Sequence, residues 1–222
     1  MNCITLLRSL QSDFIGRLES GTAWMKRLNG NEINSFYSEV RHIQGNRLQH
    51  IRDFCWQMAE KYKWNTNVRD AFLNNMKGKL GEEMIKTSLG NLVTDVDYEN
   101  RFRGDGKVDF AMKSNPNIRI QVKTRQIPIK ITSISEDFGG GEIRDVEIEY
   151  IKWFVNAEEV RKNAAIACIG IVGDVNEAQK EYYLINAGFL PCNMIEANQE
   201  TIKLNVHDLL YGFGLRHYLE SL

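Results

Sequence analysis

The sequence predicts an α/β protein in which helices flank a mixed β-sheet and an all-helical extension precedes it. Apolar residues recur at helical spacing along the N-terminal part of the chain. After Gly90 the pattern changes to short runs that alternate between apolar and polar residues, and helical stretches separate some of these runs. Strands interleaved with helices favour an α/β fold over a β-sandwich.

The N-terminal region contains three apolar stripes with helical spacing, separated by turn-forming residues at Gly21, Asn29-Gly30 and Gly45-Asn46. The stripes are Leu6, Leu7, Leu10, Phe14 and Leu18, then Ile33, Phe36, Val40 and Ile43, then Leu48, Ile51, Cys55, Met58 and Tyr62. A further helix, capped by Thr66, is expected to run through Met76. We therefore divide the chain into a helical region, 1–76, and an α/β domain, 77–222. The helices either form a separate bundle or pack on the sheet.

The α/β domain is predicted to begin with a helix from about Gly78 to Gly90. A flexible loop is expected at 138–142, a short helix at 158–163 and a final helix at 206–219. The predicted strands are 92–98, 107–112, 118–125, 142–150, 164–172 and 181–186.

Composition limits the possible functions. The 222-residue chain has a formal net charge of −1, with 43% hydrophobic and 26% charged residues, which are globular values. This charge excludes a polybasic nucleic-acid tail but allows a local basic groove. The four cysteines lie far apart in the sequence, so we expect buried free thiols in a reducing compartment.

Targeting and cofactor signals are weak. The N-terminus does not resemble a signal peptide, and the apolar run 164–172 is too short to span a bilayer, so we expect a cytoplasmic protein without membrane contact. Gly139–Gly141 is not followed by the G-K-[ST] of a phosphate-binding loop, and we expect no organic cofactor.

The segment GKVDFAMKSNPNIRIQVKTR, 106–125, predicts a hairpin with a functional face. Ile118, Ile120 and Val122 share one face of the second strand, and polar residues including Gln121 and Lys123 share the other. The SNPN segment is a favourable turn. Asp109 on the first strand can therefore converge with Gln121 and Lys123.

These residue types suit phosphodiester chemistry. Carboxylate and amide oxygens bind Mg²⁺, which polarises a phosphate and lowers the pKa of a bound water. A lysine can orient or help deprotonate that water and can offset charge in the transition state. Glu82, on the helix face expected to meet the sheet, is the preferred second carboxylate, and Glu83 is the alternative.

The order of these motifs resembles the PD-(D/E)XK nuclease superfamily. The resemblance covers roughly 78–186 and includes G-x-x-G-E on a helix, V-D-F on a strand and I-Q-V-K-T on the next. It implies a restriction endonuclease-like core, with Asp109, Gln121 and Glu82 as metal ligands and Lys123 as the catalytic lysine. It also implies a Mg²⁺-dependent DNA endonuclease, active with Mn²⁺ and acting as a homodimer in defence or in DNA repair and recombination.

The sequence departs from the family pattern at two positions. Val108 replaces the proline, which matters little, and Gln121 replaces an acidic residue, so metal affinity would depend more on Asp109 and Glu82. The neutral Gln121 also leaves open a catalytically inactive protein that kept the fold for DNA binding or assembly. A positive groove for DNA is expected from nearby basic residues. These are Arg101, Arg103, Arg119, Arg125 and Lys130.

Overall fold

The computed structural model describes residues 2–19, 39–61, 67–95, 108–127, 130–135, 140–144 and 151–222, and for 130–135 and 140–144 it describes the backbone alone. In these residues the chain forms a mixed α/β fold with a six-stranded sheet and five α-helices. The helices are α1 Cys3–Glu19, α2 Gly45–Lys61, α3 Val68–Leu89, α4 Ala157–Lys162 and α5 Gly214–Glu220.

The main sheet is mixed. Its strands are β1 Val40–Gln44, β2 Val93–Asp95, β3 Phe110–Met112, β4 Arg119–Ile127, β8 Ala165–Val172 and β9 Glu181–Pro191. They lie in the order β1-β9-β8-β4-β3-β2, with β4 and β8 parallel and the other pairs antiparallel. Two further pairs join β5 Lys130–Ser135 to β6 Gly140–Arg144, and β7 Lys152–Asn156 to β10 Thr201–Asn205.

The central strand β8 is buried along its whole length. Its sequence, AIACIGIV, is almost entirely apolar, as expected for a strand covered on both faces. One core joins the sheet to α2 and α3 through residues such as Phe72, Met76 and Leu80. The second core joins the sheet to α1 and α4 through residues such as Phe14 and Val160.

The N-terminal region packs on the sheet, which is one of the two arrangements that the sequence left open. Gln11 on α1 is buried, and its side-chain amide donates to the carbonyls of Ala187 at 2.8 Å and Val206 at 3.1 Å. Strand β1 pairs with β9 and extends the main sheet. The predicted boundary between 76 and 77 falls inside α3.

Two helix predictions are wrong. Val40 and Ile43 lie in strand β1, because two apolar residues three apart do not distinguish a helix from a strand that gains pairing with β9. The predicted helices through Met76 and from Gly78 are one continuous helix, α3, in which Gly78 is tolerated inside the helix. Residues 20–38, with Ile33 and Phe36, lie outside the described residues.

The strand predictions 118–125, 164–172 and 181–186 are confirmed to within a few residues, as is the helix at 158–163. The predicted strand 107–112 is confirmed at Phe110–Met112, and residue 107 lies outside the described residues. The predicted strand 92–98 is described at Val93–Asp95, and 96–98 lie outside the described residues. The expected loop at 138–142 is wrong where it is described, because Gly140–Arg144 forms β6. Residues 145–150 lie outside the described part of the chain. Strands β5 and β10 were not predicted.

The predicted C-terminal helix is too long. Val206–Asp208 forms a short 3-10 turn, which the Asn205–Asp208 capping box closes, and the α-helix begins at Gly214. Between them, Leu210 pairs with Phe189 of β9 through backbone hydrogen bonds of 2.7 and 3.0 Å. Pairing with the sheet therefore replaces helical hydrogen bonds in this segment.

The four cysteines are free thiols, as expected. Three of them, Cys55, Cys168 and Cys192, are buried, whereas Cys3 is exposed and departs from the expectation. Burial raises the pKa of Cys55 and of Cys192 to about 12. Among the described residues, no helix combines the length and apolar character needed to cross a membrane.

Candidate functional site

The predicted hairpin is present and carries the candidate site at its open end. Phe110 pairs with Ile120, and Ala111 pairs with Arg119. The turn is closed by Ile118, whose backbone N–H donates to Asn115 O at 2.9 Å. Phe110, Met112, Ile120 and Val122 share one core with α3, as the alternation predicts.

Asp109 lies just before β3, where its carboxylate is tied to the backbone of β4. The residue is buried, and its Oδ2 accepts a 2.6 Å hydrogen bond from the backbone N–H of Val122. The backbone N–H of Asp109 donates to Ile120 O at 3.0 Å. A side-chain oxygen therefore takes the acceptor role that a strand carbonyl usually has in a ladder. This contact fixes the carboxylate on a rigid element.

Gln121 is 4% exposed and is the neighbour of Val122 on β4. No donor in the described part of the chain hydrogen-bonds to its Oε1, and its Nε2 contacts Val122 O at 3.4 Å. A buried acceptor without a partner costs about 1–3 kcal/mol. An amide oxygen held in this way fits an oxygen-binding cation such as Mg²⁺, so the residues present suit the metal that the sequence implies.

Lys123 points to the sheet face opposite α3. Thr124, its neighbour on β4, lies directly against Gly81 of α3, and alternation turns Lys123 to the other side. There its Nζ contacts Glu159 Oε1 of α4 at 2.6 Å. Helices α3 and α4 therefore cover opposite faces of β4.

Glu82 is the carboxylate on α3 whose pKa is affected by the charge of Asp109. Burial raises the pKa of Glu82 to about 7, the ion pair with Lys79 at 2.5 Å opposes that rise, and the negative charge of Asp109 adds to it. Glu83 instead binds Arg47 of α2 through two contacts of 2.7 and 2.5 Å. The charge interaction of Glu82 with Asp109, and the pairing of Glu83 with Arg47, favour Glu82 over Glu83 as a partner of Asp109.

The structure groups three of the four predicted site residues, Asp109, Gln121 and Lys123, but does not bring Glu82 to Gln121 and Lys123, because those two lie on the face of β4 opposite α3. Asp109 hydrogen-bonds to the backbone of Val122 on β4, Gln121 is the residue before Val122, and Lys123 is the residue after it. Glu82 is near enough to Asp109 for their charges to interact. Within the described ranges, no group of three or more His, Cys, Asp or Glu side chains is placed to hold a metal ion.

The predicted DNA-contacting residues are only partly described. Arg119 is exposed, with its Nε 3.4 Å from Pro116 O, and Arg125 donates to Lys152 O at 2.6 Å. Lys130 begins β5, but its side chain is outside the described part of the structure. Arg101 and Arg103 lie outside the described residues.

Glu159 is the residue of the site that the sequence did not reveal. Asn156 and Glu159 have the spacing of a capping box, a signal that could have placed Glu159 in the first turn of α4. That signal says nothing about Lys123, because the contact joins residues 36 positions apart in the sequence. The long-range packing of α4 on β4 creates the pair.

The raised pKa of Glu82 predicts a pH-dependent effect of Glu82→Gln on stability. The folded-state pKa of about 7 exceeds the ordinary 4.5, so protonation of Glu82 stabilises the fold below about pH 4.5, and this contribution is lost as the pH rises through 7. We therefore expect the free energy of unfolding of Glu82→Gln, relative to that of the wild type, to be higher at pH 8 than at pH 5 by up to about 3 kcal/mol. Urea unfolding at both pH values measures this, and a pH-independent difference would contradict it.

Comparisons with protein-family models, with curated proteins and with solved structures found no match for this chain.

Proposed function

We propose that this protein is a metal-dependent DNA endonuclease of the PD-(D/E)XK type, which hydrolyses phosphodiester bonds in restriction-like defence or in DNA repair and recombination. One observation carries the proposal. Asp109, just before β3, and Gln121 and Lys123, on β4, occupy neighbouring positions at the open end of one hairpin. Solvation alone does not account for this grouping, because Asp109 and Gln121 are buried.

The order of elements supports the proposal. Helix α3 is followed by the antiparallel strands β2, β3 and β4. After β5, β6 and β7, α4 leads into β8, which runs parallel to β4. This succession agrees with the helix-strand-strand order that the sequence motifs implied. The G-x-x-G-E motif lies on α3, which packs directly against the strand that carries Lys123.

In the proposed reaction, Asp109 and Gln121 would hold Mg²⁺ or Mn²⁺, with Glu82 as the further carboxylate beside Asp109. The ion, when bound, would polarise the phosphate and lower the pKa of the attacking water. Lys123 would orient that water and offset the negative charge that develops on the phosphate. The burial of Asp109 and Gln121 strengthens these electrostatic contacts, because water screens them poorly.

The substrate of the proposed enzyme is DNA, bound through its phosphates. Arg119 and Arg125, with Arg101, Arg103 and Lys130, are the basic residues proposed to contact the backbone. Cutting both strands of a duplex takes two active sites, so we propose a homodimer. No organic cofactor enters the proposed reaction, and the free thiols fit a reducing cytoplasm.

The decisive experiment incubates the purified protein with supercoiled plasmid and with a four-way junction, in Mg²⁺, Mn²⁺ or EDTA. We expect metal-dependent cutting that EDTA abolishes and that Lys123→Ala reduces by at least about 100-fold, with DNA binding retained. The product pattern separates duplex from branched substrates. Cutting that is equally strong in EDTA, or equally strong in Lys123→Ala, would contradict the proposed site.

The second candidate is a nuclease-fold protein that binds DNA or assembles with partners without cutting it. The neutral Gln121 favours this candidate, because an amide supplies no charge to a metal site. The same experiment separates the two functions. Retained DNA binding without cleavage on either substrate would favour the binding protein.

A further inference from the structure

We propose that Glu159 is a positioning residue that holds the ammonium of Lys123 in place for phosphodiester cleavage. This inference rests on the proposed nuclease function. It gives a role to a buried acidic residue on α4 that lies outside the motifs on α3, β3 and β4.

The contact between the two side chains is short and largely shielded from solvent. Lys123 Nζ lies 2.6 Å from Glu159 Oε1, and the side chains are 23% and 6% exposed. A charged carboxylate is almost never buried to this extent unless it is paired. Lys123 therefore supplies the compensating charge for Glu159, and Glu159 restricts where the ammonium can go.

The carboxylate of Glu159 has one further hydrogen bond besides Lys123, and its backbone is held by two others. Its Oε2 accepts from the backbone N–H of Asn156 at 2.9 Å, and its own backbone N–H donates to Asn156 Oδ1 at 2.8 Å. The carbonyl of Glu159 accepts from Asn163 Nδ2 at 2.8 Å. One oxygen thus closes the first turn of α4, and the other is left to bind Lys123. Because the capping box fixes the Glu159 side chain on α4, it also fixes the site at which Lys123 binds.

A fixed lysine matters more in this site than in one with an acidic residue at position 121. A free lysine side chain samples many rotamers, and ordering it costs up to about 2 kcal/mol. Glu159 meets that cost during folding, before DNA binds. It also supplies a negative charge beside Lys123 where the neighbouring Gln121 supplies none. Preorganised charges lower a reaction barrier because they need no reorientation during the reaction.

Glu159→Gln isolates this role. Glutamine is accepted at the last position of a capping box, so Oε1 of the new amide can still cap α4 while the charge facing Lys123 is lost. Glu158→Gln is the matched control. It removes the same charge from the adjacent position of α4, where Glu158 pairs with Lys162 at 2.8 Å and its side chain is 45% exposed. Glu159→Asp keeps the charge but shortens its reach.

We expect Glu159→Gln to lower kcat for DNA cleavage by about 10- to 100-fold with KM for DNA changed less than about threefold, as for other residues that orient a catalytic group. Glu158→Gln should cut at the wild-type rate, and Glu159→Asp should recover part of the loss. In the Lys123→Ala background, Glu159→Gln should have no further effect on kcat, because the residue it positions is gone. Circular dichroism of each variant gives the folded fraction by which rates are corrected.

Three results would overturn the inference. The first is wild-type kcat in Glu159→Gln, and the second is a loss of kcat that disappears once rates are corrected for the folded fraction. The third is a wild-type protein that binds DNA without cutting it, which defeats the proposed function itself. In that case a double-mutant cycle of Lys123→Ala and Glu159→Gln in urea unfolding would assign the pair to stability instead.

Discussion

Asp109→Asn is expected to lower metal-dependent DNA cleavage by at least about 1,000-fold while the fold and DNA binding are retained. Asparagine has the same shape, and its Oδ1 can still accept from the N–H of Val122, so the backbone contact at 2.6 Å can persist. The negative charge is lost. Gln121 is neutral and Glu82 shares its charge with Lys79, so the metal would depend most strongly on Asp109.

Cleavage of plasmid and junction over a Mg²⁺ titration measures this effect, and gel shifts in Ca²⁺ report DNA binding separately. Asp174→Asn is the matched control, because it removes the same charge from an exposed aspartate between β8 and β9. We expect that variant to cut like the wild type. Wild-type cleavage by Asp109→Asn would remove Asp109 from the proposed metal site.

The sequence predicted the hairpin of the site because local signals agreed with each other. Alternating residues, an Asn-Pro-Asn turn and apolar residues on one face all specify the same arrangement of Asp109 and Gln121. Helical spacing also led to the preference for Glu82 over Glu83; the charge of Glu82 interacts with that of Asp109, and Glu83 binds Arg47. These predictions concern residues whose positions follow from one or two adjacent elements.

The missed features depend on contacts between distant parts of the chain. Strand β1 looked helical because the spacing of Val40 and Ile43 fits a helix, yet pairing with β9 decides its conformation. Glu159 meets Lys123 because α4 packs on the face of β4 opposite α3. When helices cover both faces of a strand, the local sequence does not show which helix packs on which face.

Gly81→Ala is expected to destabilise the fold by about 2–3 kcal/mol, because α3 approaches β4 most closely at this residue. A Cβ on Gly81 would lie 1.8 Å from Thr124 Oγ1 and 3.0 Å from Thr124 Cβ, which is too close for either atom. The helix cannot retreat easily, because the adjacent Leu80 and Ile85 are completely buried. The overlap is therefore relieved by shifting α3 or Thr124, and both shifts cost packing energy.

Gly78→Ala is the matched control in the same helix and the same G-x-x-G motif. No described atom outside its own helix backbone lies within 4 Å of a Cβ at Gly78, so alanine should stabilise α3 by about 0.5–1 kcal/mol. Urea unfolding should thus give opposite signs for two identical substitutions three residues apart, and Thr124→Ala should recover part of the loss in Gly81→Ala. Equal effects would contradict the close packing of α3 on β4. The opposite signs would assign the second glycine of the motif to helix-strand contact at the residue that precedes Glu82.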